Sequence, residues 1–243
     1  MLLVAMLALG TATFAWFTQN TAASASGIYA KTVKASTLEI SKANKAWGTV
    51  VTYTQGASGD GNAQVMFPAS SDDGANWVEA LSENATTGAY KGSGAKSVTP
   101  SGTNAKFVYS EMLNVRNAGA TGAPAINSVS IAWSWPEESS DYIRLALVPC
   151  NAEGTTFTAA NFRAGVFGKN ATQYNGLTLE GAGEAITPKT ATSLSVGTLT
   201  AGQEAYYKLF VWFEGQDANC VDAKAGQTLD GLTFSITGTP AAN

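Results

Sequence analysis

Ala205-Tyr206-Tyr207-Lys208-Leu209-Phe210-Val211-Trp212-Phe213 contains a single charge, and its side chains sort by period two into two sets. Tyr207, Leu209, Val211 and Phe213 fall on one face, and Tyr206, Lys208, Phe210 and Trp212 on the other. Successive side chains of a strand point to opposite faces of its sheet. A strand of this composition is therefore apolar on both sides, which is the profile of a central strand.

Working outward from this run, further strands are expected at Ala125 to Trp135, Asp141 to Val148, Ala191 to Leu199 and Leu232 to Thr237. In the first of these, Val129, Ile131, Trp133 and Trp135 share one face. Upstream, Ile28 to Val33, Thr37 to Ile40, Ala46 to Tyr53 and Gln64 to Phe67 alternate with turn residues. Many short strands at such spacing predict an all-β fold, a β-sandwich or jelly roll with long loop insertions. Pro136, Pro149, Pro188 and Pro240 sit at or beyond the proposed strand boundaries, where a missing amide hydrogen interrupts no ladder.

Pro68 to Thr103 is rich in Ser, Gly, Asn, Asp and Ala and reads as a long exposed excursion, with a short helix around Trp77 to Leu81. Between 150 and 190 the pattern is mixed: Gly165 to Phe167 and Leu177 to Leu179 fit short strands, and a small helix fits equally well.

Met1 to Leu9 are apolar, Gly10 breaks the run, and Thr11 to Ala15 are mostly small. Residues 1–15 therefore read as a signal-peptide-like leader and 16–243 as one β-sandwich domain, with cleavage after Ala15 and Ala23-Ser24-Ala25 as a competing site. The segment to Phe17 is too short and too interrupted for a membrane-spanning helix, and a buried N-terminal helix is the alternative. The first basic residue is Lys31, so a basic region ahead of the apolar run is missing. Export implies a secreted or surface-exposed protein.

Charged residues make up only 13% of the chain, and the basic ones are scattered singly under a net charge of −4, so nucleic acid is not an expected partner. With no histidine in 243 residues, Ser-His and Cys-His catalysis are closed and a common zinc ligand is missing. Glu137, Glu138 and Asp141 resemble a glycosidase acid pair only superficially and read as a wet turn. Asp72 with Asp73, or Glu214 with Asp217 and Asp222, offer oxygen ligands for a low-affinity calcium site, but neither cluster matches an EF-hand loop; Asp72-Asp73-Gly74 and Glu214-Gly215-Gln216-Asp217 read as turns, and no phosphate-binding loop is present. The expectation is a non-enzyme without cofactor or metal.

Trp77, Tyr90 and Tyr174 are the aromatic candidates for stacking on a sugar or anchoring an interface, with ordinary packing as the competing reading. Asn84-Ala85-Thr86 and Asn170-Ala171-Thr172 fit the N-glycosylation pattern, which carries little information here. Cys150 follows the end of one predicted strand and Cys220 the end of another, so a Cys150–Cys220 disulfide is expected in an oxidising compartment. Closing that loop of about 70 residues would stabilise by roughly 4 kcal/mol. Two separate reduced cysteines are the alternative.

Gly10-Thr11-Ala12-Thr13-Phe14-Ala15-Trp16-Phe17-Thr18, with Ala25-Ser26-Gly27 beyond it, resembles the export and mature N-terminal region of the TasA/camelysin family. The string from Tyr207 to Cys220 is similar to the terminal strand and loop of relatives in that group. The resemblance implies a secreted β-sandwich protein, several of whose relatives form matrix fibres in Gram-positive bacteria. The expected function is a structural subunit of a surface or biofilm-matrix fibre. The alternative is an extracellular module that binds a surface glycan or a matrix protein. The family name also raises metallopeptidase activity, which a chain without His-Glu-x-x-His does not support.

Homo-oligomer or fibre assembly is expected through an N-terminal strand, residues around Trp16 to Val33 completing the sheet of a neighbouring subunit. Trp16, Phe17 and Ile28 are the candidate apolar anchors, and Ala22 to Gly27 the connector. The competing arrangement folds this segment back as an edge strand of its own domain.

Overall fold

The computed structural model describes residues 37–53, 66–80, 96–102, 105–135, 141–220 and 232–241. In chain order the strands are β1 (Leu38–Ser41), β2 (Val50–Tyr53), β3 (Ala69–Ser70), β4 (Trp77–Glu79), β5 (Ser97–Val98), β6 (Val108–Asn117), β7 (Ile126–Ser134) and β8 (Ile143–Pro149). Then follow helix α1 (Ala159–Ala164), β9 (Val166–Gly168), β10 (Tyr174–Thr178), β11 (Gly181–Ile186), β12 (Ser193–Leu199), β13 (Glu204–Phe213) and β14 (Leu232–Pro240). The fold is all-β and sandwich-like, as the strand pattern predicts.

Three layers are stacked. A central sheet has the order β1-β6-β13-β8-β9 and a facing sheet the order β12-β7-β14-β2, with antiparallel pairing throughout. On the other side of the central sheet lies an outer layer made of the small sheet β3-β4-β5, the hairpin β10-β11 and α1. β13 runs through the middle, paired with β6 on one side and β8 on the other. Its Tyr207, Leu209, Val211 and Phe213 enter the core between the two large sheets, while Phe210 and Trp212 enter the core under the outer layer. Both faces of this strand are thus covered, as its two apolar sets require.

The facing sheet alternates cleanly. Val51, Tyr53, Ile131, Trp133, Leu232 and Phe234 point into the sandwich. The alternate positions form cross-strand rungs: Thr52 beside Thr233 and Ser134, then Val50, Ser235, Ala132 and Ser193, then Thr237, Ser130 and Ser195. A bulge in β7 interrupts the period, with Ser128 at φ 51° and a register shift opposite Thr237 and Thr239. The extra residue lets Ile126 and Val129 both face inward.

The excursion after Pro68 corrects two expectations. Trp77 and Val78 belong to strand β4 rather than a helix; of the strand expected at Gln64 to Phe67, Gln64 and Val65 lie outside the described residues, Met66 and Phe67 are not in a strand, and β3 follows at Ala69–Ser70. Nor is this region simply exposed: Ala69, Ser70, Ser71, Trp77, Val78 and Ala80 are all buried. Its small polar residues are consumed in a compact turn. Ser71 Oγ donates to the Asn76 carbonyl and accepts from Gly74 N, while Asp73 Oδ1 accepts from the amides of Ala75 and Asn76. Gly74, at φ 75°, lies under the Phe162 ring, where a Cβ would collide.

The expected disulfide is also corrected, since Cys150 and Cys220 are not bonded to each other. The amide of Cys150 donates to the Tyr206 carbonyl at 3.1 Å, near the start of β13. Cys220 lies beyond the far end of β13, its amide held 2.9 Å from the Asp217 carbonyl, and Asp217 is tied to Arg144, the cross-strand neighbour of Trp212. Two antiparallel strands end at opposite edges of their sheet. The six residue steps of β13 from Tyr206 to Trp212 span roughly 20 Å, whereas a disulfide tolerates about 7 Å between Cα atoms. Burial, partly offset by Lys208, pushes the Cys150 thiol up to about 11, so it stays protonated at neutral pH.

Candidate functional site

The molecule's concentration of unusual chemistry lies at the junction of the central sheet and the outer layer. Arg144 sits in the apolar strand Ile143-Arg144-Leu145-Ala146-Leu147-Val148, on the face that Trp212 shares. Its guanidinium is fully buried and forms an ion pair with the equally buried Asp217. Nη1 donates to the carbonyls of Asp141 at 2.7 Å and Ile143 at 2.9 Å, and Nη2 also reaches Asn170 Oδ1 at 3.3 Å. Asp217 Oδ1 in turn accepts from the backbone and side-chain nitrogens of Asn219 at 2.8 and 3.1 Å. A buried charge needs this degree of pairing to be tolerated.

Glu214 closes β13 and binds the layers together. Its carboxylate accepts from Trp212 Nε1 at 2.8 Å and from the Gln216 amide at 3.0 Å, and hydrogen-bonds to the Ser70 side chain. Ser70 Oγ accepts from the Leu177 amide at 3.1 Å, so one carboxylate links β13 to β3 and, through Ser70, to β10. The backbone repeats the link, with Ala69 bridged to Glu214 and Gly215 N donating to the Ala69 carbonyl.

Glu214 is completely buried, and burial pushes its carboxyl up to about 7. The hydrogen bonds from Trp212, Gln216 and Ser70 and the Arg144 charge act against that rise. Tyr174, over whose ring the Arg144 guanidinium lies at 5.6 Å, has its phenol held well above the ordinary range, by burial first and then by the charge on Glu214. One guanidinium faces two carboxylates, so ionised Glu214 would leave a surplus negative charge in a dry interior. The chemistry available to this cluster is the uptake or release of one proton at Glu214.

For Trp77, a candidate for display, the competing reading of ordinary packing holds: it is buried in the outer-layer core. Its Nε1 donates to the Gly74 carbonyl at 2.8 Å, and its ring meets Trp212 edge-on at 5.0 Å and Phe162 edge-on at 5.7 Å. Tyr174 is buried in the same cluster. Asn170 is occupied by Arg144 and by the Asp141 carbonyl. Burial resists ionisation of Asp73, but its bonds from Asn76, Ala75 and Ser71 outweigh it and hold the carboxyl below its ordinary value. Trp16, Phe17, Ile28, Tyr90, Asn84, Glu137, Glu138 and Asp222 lie outside the described residues. Among the described residues no group of three or more Cys, Asp or Glu side chains is placed to hold a metal ion.

Sequence reasoning read Glu214 and Asp217 as turn residues and passed over Arg144 as their partner. The signal is a lone arginine inside a strand otherwise wholly apolar, which demands a buried partner elsewhere in the chain.

The site and fold together define an all-β, sandwich-like protein with a buried ionic joint between its layers. Compared with known family models, curated proteins and solved structures, the chain matches none.

Proposed function

We propose that this chain is a secreted structural subunit of a surface or biofilm-matrix fibre, the role implied by its resemblance to the TasA/camelysin family. The observation that supports the reading is the edge of the facing sheet. Among the described residues β12 pairs only with β7, and its sequence Ser-Leu-Ser-Val-Gly-Thr-Leu carries neither charge nor proline. Charge, proline and β-bulges are the usual guards of an edge strand, whose free amides and carbonyls invite strand addition, and of these β12 carries only the register shifts around Gly197. An extended N-terminal segment from a neighbouring subunit, anchored by Trp16, Phe17 and Ile28, is the strand proposed to add. A carbohydrate-binding role draws less support, since Trp77 and Tyr174 are buried where stacking on a sugar needs them displayed.

Electron microscopy and sedimentation of the chain from Trp16 onward, beside a truncation beginning near Ser36, test the proposal. Filaments from the longer protein alone are expected. A longer protein that stays monomeric across a wide concentration range, or identical filaments from both, would overturn it.

A further inference from the structure

The outward face of the facing sheet carries no charged side chain on its strands. β2, β7, β12 and β14 contain no Asp, Glu, Lys or Arg, although the chain carries a net charge of −4. Two of its rungs, Thr52-Thr233-Ser134 and Thr237-Ser130-Ser195, consist wholly of hydroxyl side chains. The larger side chains of these strands, Tyr53, Trp133 and Phe234 among them, point inward.

This chemistry narrows the occupant. Among the described residues of these strands no ring points outward to serve as a platform for a sugar, and no cation is present to contact a phosphate. Val50, 54% exposed, is the one large apolar side chain on the face, which is too little for a lipid surface. A hydroxyl both donates and accepts a hydrogen bond, so an array of Ser and Thr is complementary to a copy of itself. Two copies of an acidic chain also repel least where neither carries charge.

We infer that this hydroxyl face is a self-association surface on which a second copy of the chain packs sheet to sheet, giving lateral contact between subunits. The inference rests on the fibre reading for its setting and adds the surface through which fibres would bundle. Four strands at about 4.8 Å spacing and roughly seven residues of length present about 400 Å² on each partner. That is around half of what a stable pair usually buries per partner, about 800 Å². A single contact is therefore weak, and repetition along a filament makes it effective.

The test is the double variant Thr52→Lys/Ser134→Lys, which places two like charges on one rung at exposed positions and leaves the β12 edge unaltered. Filament bundling is followed by electron microscopy, and self-association of the truncation from near Ser36, which lacks the proposed N-terminal strand, by sedimentation at millimolar concentration in low salt. The expected result is that unsubstituted filaments bundle and variant filaments stay single, with self-association of the truncation weakened at least about tenfold. Bundles unaffected by the variant would overturn the inference. If the unsubstituted protein forms no filaments, the fibre reading fails. Sedimentation then decides the face: charge-sensitive association of the truncation supports it, and its absence refutes it. Should the double variant fail to fold, Thr237→Lys alone, exposed on the interior strand β14, gives the same readouts.

Discussion

The two faces of the central sheet are held by different physics. On the side of the facing sheet, Leu209, Val211, Ile143, Leu145, Leu113 and their partners make an apolar core in which the Tyr53 hydroxyl finds its partner in the Met112 carbonyl at 2.8 Å. On the side of the outer layer, Trp77 and Phe162 lie within 6 Å of each other and of Phe210 and Trp212, in edge-on, tilted or stacked pairs, beside the ionic cluster of Arg144, Asp217 and Glu214. The first core is stabilised by area removed from water, which depends little on orientation. The second depends on direction, because a charge or an indole N–H left without its partner costs more than its contact contributes. One strand, β13, takes part in both.

The largest expected effect breaks the directional side. Arg144→Ala strands Asp217 in the interior and should cost about 3–5 kcal/mol in urea denaturation, as much as Leu209→Ala costs on the apolar side at about 2–5 kcal/mol. The double replacement Arg144→Met/Asp217→Leu separates the two cases, since removing both charges should recover most of the loss. A double variant as unstable as Arg144→Ala would show that the ion pair is not the source.

A second, smaller effect concerns pH. Glu214 has a folded pKa raised to about 7 against an ordinary 4.5, so the folded state holds the extra proton between those values. Stability from this group is complete below about 4.5 and falls as pH rises through 7, by about 3 kcal/mol in total. Glu214→Gln should flatten that slope. Hydrogen exchange should report the difference by region, with amides of β3 and β10 exchanging faster above pH 7 in the unsubstituted protein while those of β6 stay protected. Equal slopes in both proteins would place the titrating group elsewhere.

The smallest effect is local. Thr158 caps α1, its side chain accepting from Asn161 N at 3.1 Å, and Thr158→Ala should cost about 1 kcal/mol. The loss should loosen Phe162 and the outer layer, leaving the apolar core untouched.

What was legible in the sequence follows the same division. β13, β7, β8, β12 and β14 announce themselves by period two or by runs apolar on both faces. β6 does not, although it is ten residues long and central, because Val108, Tyr109, Met112 and Leu113 are spaced as on a helix while its two faces enter different cores. The outer layer was hidden by composition. Ser70 and Ser71 read as loop residues, and only the partners of their hydroxyls show why they are buried. The cysteine pairing failed for a topological reason, since equivalent positions after two strands are neighbours only if those strands are parallel.

The first and last described strands meet. Gly238 on β14 lies against the Leu38 side chain at the start of β1, although one strand belongs to the facing sheet and the other to the central sheet. A pull applied at both ends of this fold therefore enters and leaves at adjacent points. The load crosses the short junction between β1 and β14, and the domain hangs from the line of tension as a bead hangs from a thread, its central strands unstretched.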